Sequence, residues 1–225
     1  MQSIKSLIFF FALSTCSNCF ASIIFINEIH YDNSGTDQNE FFELMGEAGL
    51  DLSGWQVELY NGSNGTTYGN IIELSGILSD SNNGFGFASF YPAYIQNGAP
   101  DGLALIDNKG VVRQFLSYEG IITATSGSAK GLTSIDIGIS ESNASTPDNF
   151  SLQLTGKGSN YQDFTWQAME HSSGLINTSQ TIRKNDIAEV PEPATNALLL
   201  AALVILSLFS KTLNKRTAYY PDNPL

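Results

Sequence analysis

The chain has 225 residues, with 22 acidic against 10 basic side chains and a formal net charge of −12. Residues 22–190 hold 20 of the acidic and 6 of the basic side chains, so this segment alone carries −14. Nucleic acids are bound chiefly through cationic contacts to phosphate. This charge balance argues against a nucleic-acid partner and leaves cations, basic proteins and neutral glycans open.

The N-terminus has the order of charged, apolar and small residues that is typical of a secretory signal peptide. Lys5 precedes an apolar core over residues 7–13, which is shorter than the roughly 20 residues that a membrane helix needs. We therefore predict a signal peptide over residues 1–21, cleaved between Ala21 and Ser22.

Both cysteines of the chain, Cys16 and Cys19, lie in this leader. Lipidation at Cys16 is the alternative to signal-peptide cleavage. Once the leader is removed, the exported domain has no cysteine, and therefore no disulfide and no thiolate metal site. Its stability must then come from a hydrophobic core, and about 165 residues are enough to bury one.

Residues 22–186 show short apolar runs separated by turn residues. Trp55, Val57 and Leu59 alternate with Gln, Glu and Tyr, which is the period of two expected for a half-buried strand. Residues 107–110 read as a hairpin turn. The predicted strands are 23–31, 41–45, 55–60, 71–74, 84–90, 102–106, 111–118, 150–154 and 164–167. No long amphipathic helix is evident, so the pattern predicts an all-β sandwich or barrel.

Acidic side chains are concentrated after the first predicted strand, with six of them between residues 28 and 47. Hard cations such as Ca²⁺ take several oxygen ligands from a bendable loop. The candidate Ca²⁺ ligands are Asp32, Asp37, Glu40 and Glu43. The alternative is a solvated turn held by local Asp and Asn hydrogen bonds, and no other cofactor is expected.

Aromatic residues in a predicted loop are the candidates for contact with a ligand. Phe90, Tyr91 and Tyr94 lie in this loop, where aromatic rings can stack on sugars. Packing within the domain is the alternative, because sandwich cores also need aromatic side chains.

The sequence shows no recognisable catalytic constellation. His30 and His171 are the only histidines, no Gly-x-Ser-x-Gly elbow is present, and no histidine pair has metal-ligand spacing. We therefore predict no catalytic activity. A hydrolase with an unrecognised site, in which His30 would matter, is the alternative.

The C-terminus reads as a linker, an apolar span and a basic stop. The linker, residues 187–193, ends in Val190-Pro191-Glu192-Pro193. Residues 194–210 contain no charge and predict a transmembrane helix, with a buried core helix as the alternative. The basic tail, residues 211–225, predicts a cytoplasmic C-terminus and an exported main domain.

These C-terminal features resemble the PEP-CTERM sorting signal of Gram-negative bacteria. The resemblance implies recognition by an exosortase-type membrane protease. It also implies anchoring at the cell envelope through the helix, followed by display at the cell surface or secretion, often alongside exopolysaccharide. The chain departs from that pattern because residues 217–225 continue beyond the basic cluster.

Residues 23–181 resemble the bacterial type of lamin tail domain. The matching segments are 26–37, 40–44, Asp51-Leu52-Ser53-Gly54-Trp55, 97–105, 151–154, Trp166 and 174–178. The resemblance implies an immunoglobulin-like β-sandwich that serves as a binding or structural module. We therefore expect an exported module with exopolysaccharide or envelope proteins as partners, and a calcium-dependent adhesion protein using residues 32–43 as the alternative.

Overall fold

Within residues 22–183, which are those described by the computed structural model, eleven strands form two sheets. The strands are β1 (Ile24–His30), β2 (Phe41–Glu47), β3 (Gln56–Asn61), β4 (Thr66–Glu73), β5 (Phe85–Phe90), β6 (Asp101–Ile106), β7 (Val112–Tyr118), β8 (Ile135–Asp136), β9 (Phe150–Gly158), β10 (Phe164–Glu170) and β11 (Gln180–Ile182). A single 3₁₀ turn, Tyr161–Asp163, precedes β10. The all-β prediction is confirmed, and each of the nine predicted strands overlaps an observed one.

The first sheet has the order β10-β9-β1-β2-β5, and β11 pairs in parallel with β9. The second sheet has the order β4-β3-β6-β7-β8, and only the short β7–β8 pair in it is parallel. The predicted hairpin turn between β6 and β7 is present, because the Asp107 amide donates to Val111 and the Gly110 amide donates to Asp107.

The two sheets pack face to face through one hydrophobic cluster, which makes the domain a β-sandwich. Val57 and Leu59 of β3 meet Ile29 and Leu44 of the first sheet in this cluster. Trp55, which directly precedes β3, is also buried there. Burying aromatic and branched side chains from both inner faces is the main stabilising contribution in such a fold.

The outer face of the second sheet is also covered. Tyr60 and Phe115 pack there against Ile122, Ala124 and Ala129 from the long segment between β7 and β8. The alternation in β3 predicts a polar, solvated outer face, but Tyr60 is fully buried. The segment after β7 covers this face, so both faces of β3 are buried.

The outer face of the first sheet carries a third apolar cluster. Phe25, Met45 and Phe164 pack there with Ile182 of β11. Glu43 lies between the inward-facing Phe42 and Leu44, so its carboxylate also points to this outer face. Buried polar side chains therefore share the outer face with apolar ones.

Several predictions fall outside the described residues. They are the signal peptide (1–21), the Val190–Pro193 motif, the transmembrane helix (194–210) and the basic tail (211–225). Between residues 22 and 183, no helix is long and apolar enough to cross a membrane.

Candidate functional site

The acidic loop between β1 and β2 is folded around the side chain of Asn33. Its Nδ2 donates to the carbonyls of Thr36 (3.1 Å) and Ser34 (3.3 Å), and its Oδ1 accepts from the Gln38 amide (2.8 Å). Gly35 has a φ of +95°, which favours glycine. The local Asn hydrogen bonds expected of a turn are therefore present.

The structure separates the four candidate Ca²⁺ ligands into three environments. Asp32 and Asp37 lie beside one another. Glu40 accepts a hydrogen bond from the Ile95 amide, and Glu43 belongs to a different polar cluster. Within residues 22–183, no group of three or more His, Cys, Asp or Glu side chains is arranged to hold a metal ion.

Glu28 and Glu43 face each other across β1 and β2, next to a bulge in the pairing. Glu28 Oε1 accepts from Ser151 Oγ (2.6 Å) and the Ser172 amide (2.9 Å). Glu43 Oε2 accepts from Ser89 Oγ (2.9 Å) and the Gly174 amide (2.6 Å). Both carboxyls are thus held by donors that come from distant parts of the chain.

Burial dominates the ionisation of this pair. Burial, and after it the charge of Glu28, raises the pKa of Glu43 from 4.5 to about 8, even though the hydrogen bonds from Asn27, Gly174 and Ser89 act to lower it. Burial also raises the pKa of Glu28, against its hydrogen bonds from Ser151 and Ser172. Two carboxylates that share a desolvated site cannot both ionise easily.

His30 is locked by partners on both ring nitrogens. Nδ1 contacts Glu141 Oε1 at 2.8 Å and Nε2 contacts the Gln38 carbonyl at 3.1 Å. The Gln38 carbonyl can only accept, so Nε2 carries a proton, and the imidazolium is the form that donates to both partners. Burial opposes this state, but the hydrogen bond and the charge of Glu141 outweigh it and raise the pKa of His30.

An open pocket of about 240 Å³ lies beside this ion pair, on the outer side of the first sheet. We call it the Tyr91 pocket; its lining residues are His30, Asn39, Phe41, Tyr91, Asp148, His171 and Ser173. The Phe41 ring lies 5.7 Å from Tyr91 and 6.2 Å from His171 between centroids, the latter edge-on. Phe41 is 3% exposed and Tyr91 is 63% exposed, so Phe41 forms the buried bottom of the pocket and Tyr91 an exposed side of it.

A chain of hydroxyl groups connects the Tyr91 pocket to the buried carboxyls. Tyr91 Oη lies 2.5 Å from Ser173 Oγ, which donates to Ser89 Oγ at 3.0 Å. Ser89 in turn donates to Glu43 at 2.9 Å. This chain fixes the exposed Tyr91 ring relative to the sheet.

The three candidate ligand aromatics have different surroundings. Phe90 stacks on the buried Phe42, with centroids 5.4 Å apart. Tyr94 is 48% exposed and stacks on Tyr68 at 5.7 Å. Of the three, Tyr91 lines the Tyr91 pocket and the other two do not, so it is the one that the structure places at the candidate site.

A larger open groove of about 500 Å³ runs past the start of β1, the first half of β7 and Ile135 of β8. Its cationic side chain, Arg113, lies 3.8 Å from Asp107. The Tyr91 pocket combines stacking rings with hydroxyl, amide and carboxylate groups, which is the lining that orients a small polar ligand. It is therefore the stronger candidate site.

Sequence reasoning did not select Glu141, Ser173 or Asp148. All three come from the long segments after β8 and β10, which approach β1 and β2 only in the folded chain. His30 and His171 were noted, but nothing in their spacing indicates that both line one pocket.

Comparisons of this chain with protein-family models, with curated proteins and with solved structures give no match. The described residues define an all-β sandwich that carries an aromatic and polar surface pocket.

Proposed function

We propose that this protein is an exported, non-catalytic binding module of the bacterial cell envelope that holds a neutral glycan unit in the Tyr91 pocket. The observation that carries the proposal is the exposed Tyr91 ring beside Phe41 and His171, at the mouth of an open cavity. Ligand pockets typically combine aromatic walls with a few fixed polar groups.

The lining of the pocket favours a neutral sugar. Aromatic faces bind the C–H face of a sugar ring, while Asn39, Asp148 and Ser173 can exchange hydrogen bonds with its hydroxyls. Neither Lys nor Arg is among the lining residues, and residues 22–190 carry a formal charge of −14. An anionic polymer would be repelled by this charge, so a neutral one fits best.

The hydrogen bonding of the pocket supports binding rather than catalysis. Both ring nitrogens of His30 are engaged by hydrogen-bond partners, so neither is free to act as a general base or to bind a metal. The Ser173 hydroxyl is engaged by Tyr91 and Ser89 rather than by an imidazole. A hydrolase that depends on His30 is therefore disfavoured.

The cellular setting in this proposal rests on the sequence. The signal peptide, the Val190–Pro193 motif and the apolar span over residues 194–210 support export, membrane anchoring and processing by an exosortase-type protease. The segments similar to the lamin tail domain support an immunoglobulin-like form of the sandwich. Exopolysaccharide and envelope proteins are the partners that this setting supplies.

The test is retardation of the full-length chain by neutral polysaccharides in affinity electrophoresis, with dextran, mannan, galactan and cellulose derivatives as probes. We expect at least one to retard the natural chain and Tyr91→Ala to weaken the interaction about tenfold or more, since stacked aromatics dominate such contacts. Tyr91→Phe should keep most of the binding.

Tyr94→Ala is the matched control, because Tyr94 is also exposed but lies outside the pocket. It should bind as the natural chain does. Equal retardation of the Tyr91→Ala variant and the natural chain, or no retardation by any probe, would contradict the proposal.

A further inference from the structure

Asp32 carries a buried oxygen that has no hydrogen-bond donor. The residue is only 6% exposed, and its Oδ1 is inaccessible and unpartnered. Asp37 Oδ1 is buried and unpartnered in the same way. Leaving a buried acceptor without a donor destabilises the folded state, and more so when the acceptor is charged. Two such oxygens on neighbouring carboxyls indicate that a proton or a cation compensates their negative charge.

The surroundings of the pair supply oxygen and amide groups but no cationic side chain. The Asn97 amide donates to Asp37 Oδ2 at 3.1 Å and also lies against Asp32, next to the Asn143 backbone amide. The ion pairs among residues 22–183 are His30–Glu141 and Arg113–Asp107, and neither involves this pair. Compensation must therefore come from a proton or from a cation in solution.

We propose that Asp32 and Asp37 together bind a Ca²⁺ ion, with loop carbonyls and water completing its coordination. Carboxylate, amide and carbonyl oxygens on a loop with a flexible glycine are the ligands that Ca²⁺ takes in proteins. The pair is distinct from the Tyr91 pocket, so this site stands whether or not a glycan binds there.

The proposed site lies where three parts of the fold meet. Asp32 and Asp37 belong to the loop after β1, Asn97 precedes β6, and Asn143 lies in the segment after β8. With only two carboxylate ligands the affinity falls in the range of extracellular modules, with Kd about 10⁻⁴–10⁻³ M. Ca²⁺ binding to the folded state alone then raises thermal stability.

A shared proton is the competing account. Burial raises the pKa of Asp32, and the hydrogen bond and charge of Asp37 raise it further. A carboxyl–carboxylate pair would satisfy one of the oxygens without any metal. The two accounts differ in how Asp37→Asn behaves, because the amide supplies a donor to Asp32 but removes a charged ligand.

The experiment measures Tm of the full-length chain by intrinsic fluorescence, in EGTA and in CaCl₂ up to 10 mM, with NaCl used to match ionic strength. We expect Ca²⁺ to raise Tm by about 3–10 °C beyond the matched NaCl sample. Matching is essential, since any salt screens the repulsion within so acidic a domain.

Asp37→Asn should lose this Ca²⁺-dependent rise and yet fold in EGTA at least as stably as the natural chain. Asp136→Asn is the control, because it removes one charge from the end of β8, outside the site, and keeps the oxygen that accepts from the Gly138 amide. It should retain the rise. A Ca²⁺ response no larger than that of matched NaCl, or one unchanged by Asp37→Asn, would overturn the proposal.

Discussion

Glu28 and Glu43 lie directly opposite each other on neighbouring strands, a position where like charges destabilise a sheet. Their oxygens are satisfied by serine, amide and backbone donors, so the carboxyl groups are fixed without a cationic partner. Ionising either carboxyl is nevertheless unfavourable, because burial raises the pKa of both and so favours their protonated forms.

Because of this pair, we predict that the free energy of unfolding falls as pH rises. In the folded chain the pKa of Glu43 is about 8, against 4.5 for the exposed group, so between these values the folded state holds a proton that the unfolded state has lost. The free energy of unfolding should therefore decline from pH 5 to pH 8, by at most about 1.4 kcal/mol per pH unit for each proton involved.

Glu43→Gln should make this decline shallower, as measured by urea unfolding at each pH. Glu47→Gln, a change on the same strand at a half-buried site, should leave the slope as in the natural chain. A slope that Glu43→Gln does not alter would show that Glu43 is ionised at neutral pH in the folded state.

At the scale of single elements, the segment between β7 and β8 is anchored on the outer face of the second sheet by Glu58. Its carboxylate accepts from the Ser128 amide and hydroxyl, both at 2.7 Å, and from Tyr60 Oη at 2.5 Å. Gly127, which precedes Ser128, has a φ of +65°, and its backbone lies close to side chains of β3 and β4. The side chains on the outer face of β3 are therefore buried beneath this segment, in a second hydrophobic cluster.

Gly127→Ala should destabilise the domain by about 2–4 kcal/mol. A Cβ there would lie 2.5 Å from Glu58 Oε2, Thr67 Cγ2 and Tyr60 Oη, in addition to the strain of a positive φ. Gly131→Ala is the matched control, because Gly131 has a φ of +84° with open space around its missing Cβ.

Gly131→Ala should cost only the backbone strain, about 1 kcal/mol. Urea unfolding of both variants measures the difference. Equal losses of stability in the two variants would mean that the contact with Glu58 and Tyr60 does not constrain the covering segment.

At the scale of the whole molecule, the sequence predicts the sandwich because alternation in β3 and the β-branched runs of the other strands are local signals. β8 and β11 were missed because they have only two and three residues and depend on parallel pairing, with β7 and β9 respectively. Tyr60 was assigned to a polar face, since no local pattern shows that a later segment will cover it.

The candidate site was predictable only in part. Asp32, Asp37 and Tyr91 were selected from local composition, and the structure gives each a specific setting. Glu141 and Ser173 reach the site through contacts that span 111 and 84 residues, for which the sequence holds no periodic signal. The sequence therefore identifies candidate residues within individual loops, but not the residues from distant segments that hold the site in place.

Binding of a neutral glycan in the Tyr91 pocket is tested most directly by proton NMR of the histidine rings. The chain has two histidines and both line the pocket, so every imidazole C–H signal reports on it. Hexasaccharides of glucose, mannose and galactose are titrated at constant pH into the full-length chain and its Tyr91→Ala variant. We predict that a bound hexasaccharide shifts the His171 signals of the natural chain but not those of the variant. Binding that leaves both histidines unshifted would contradict the account.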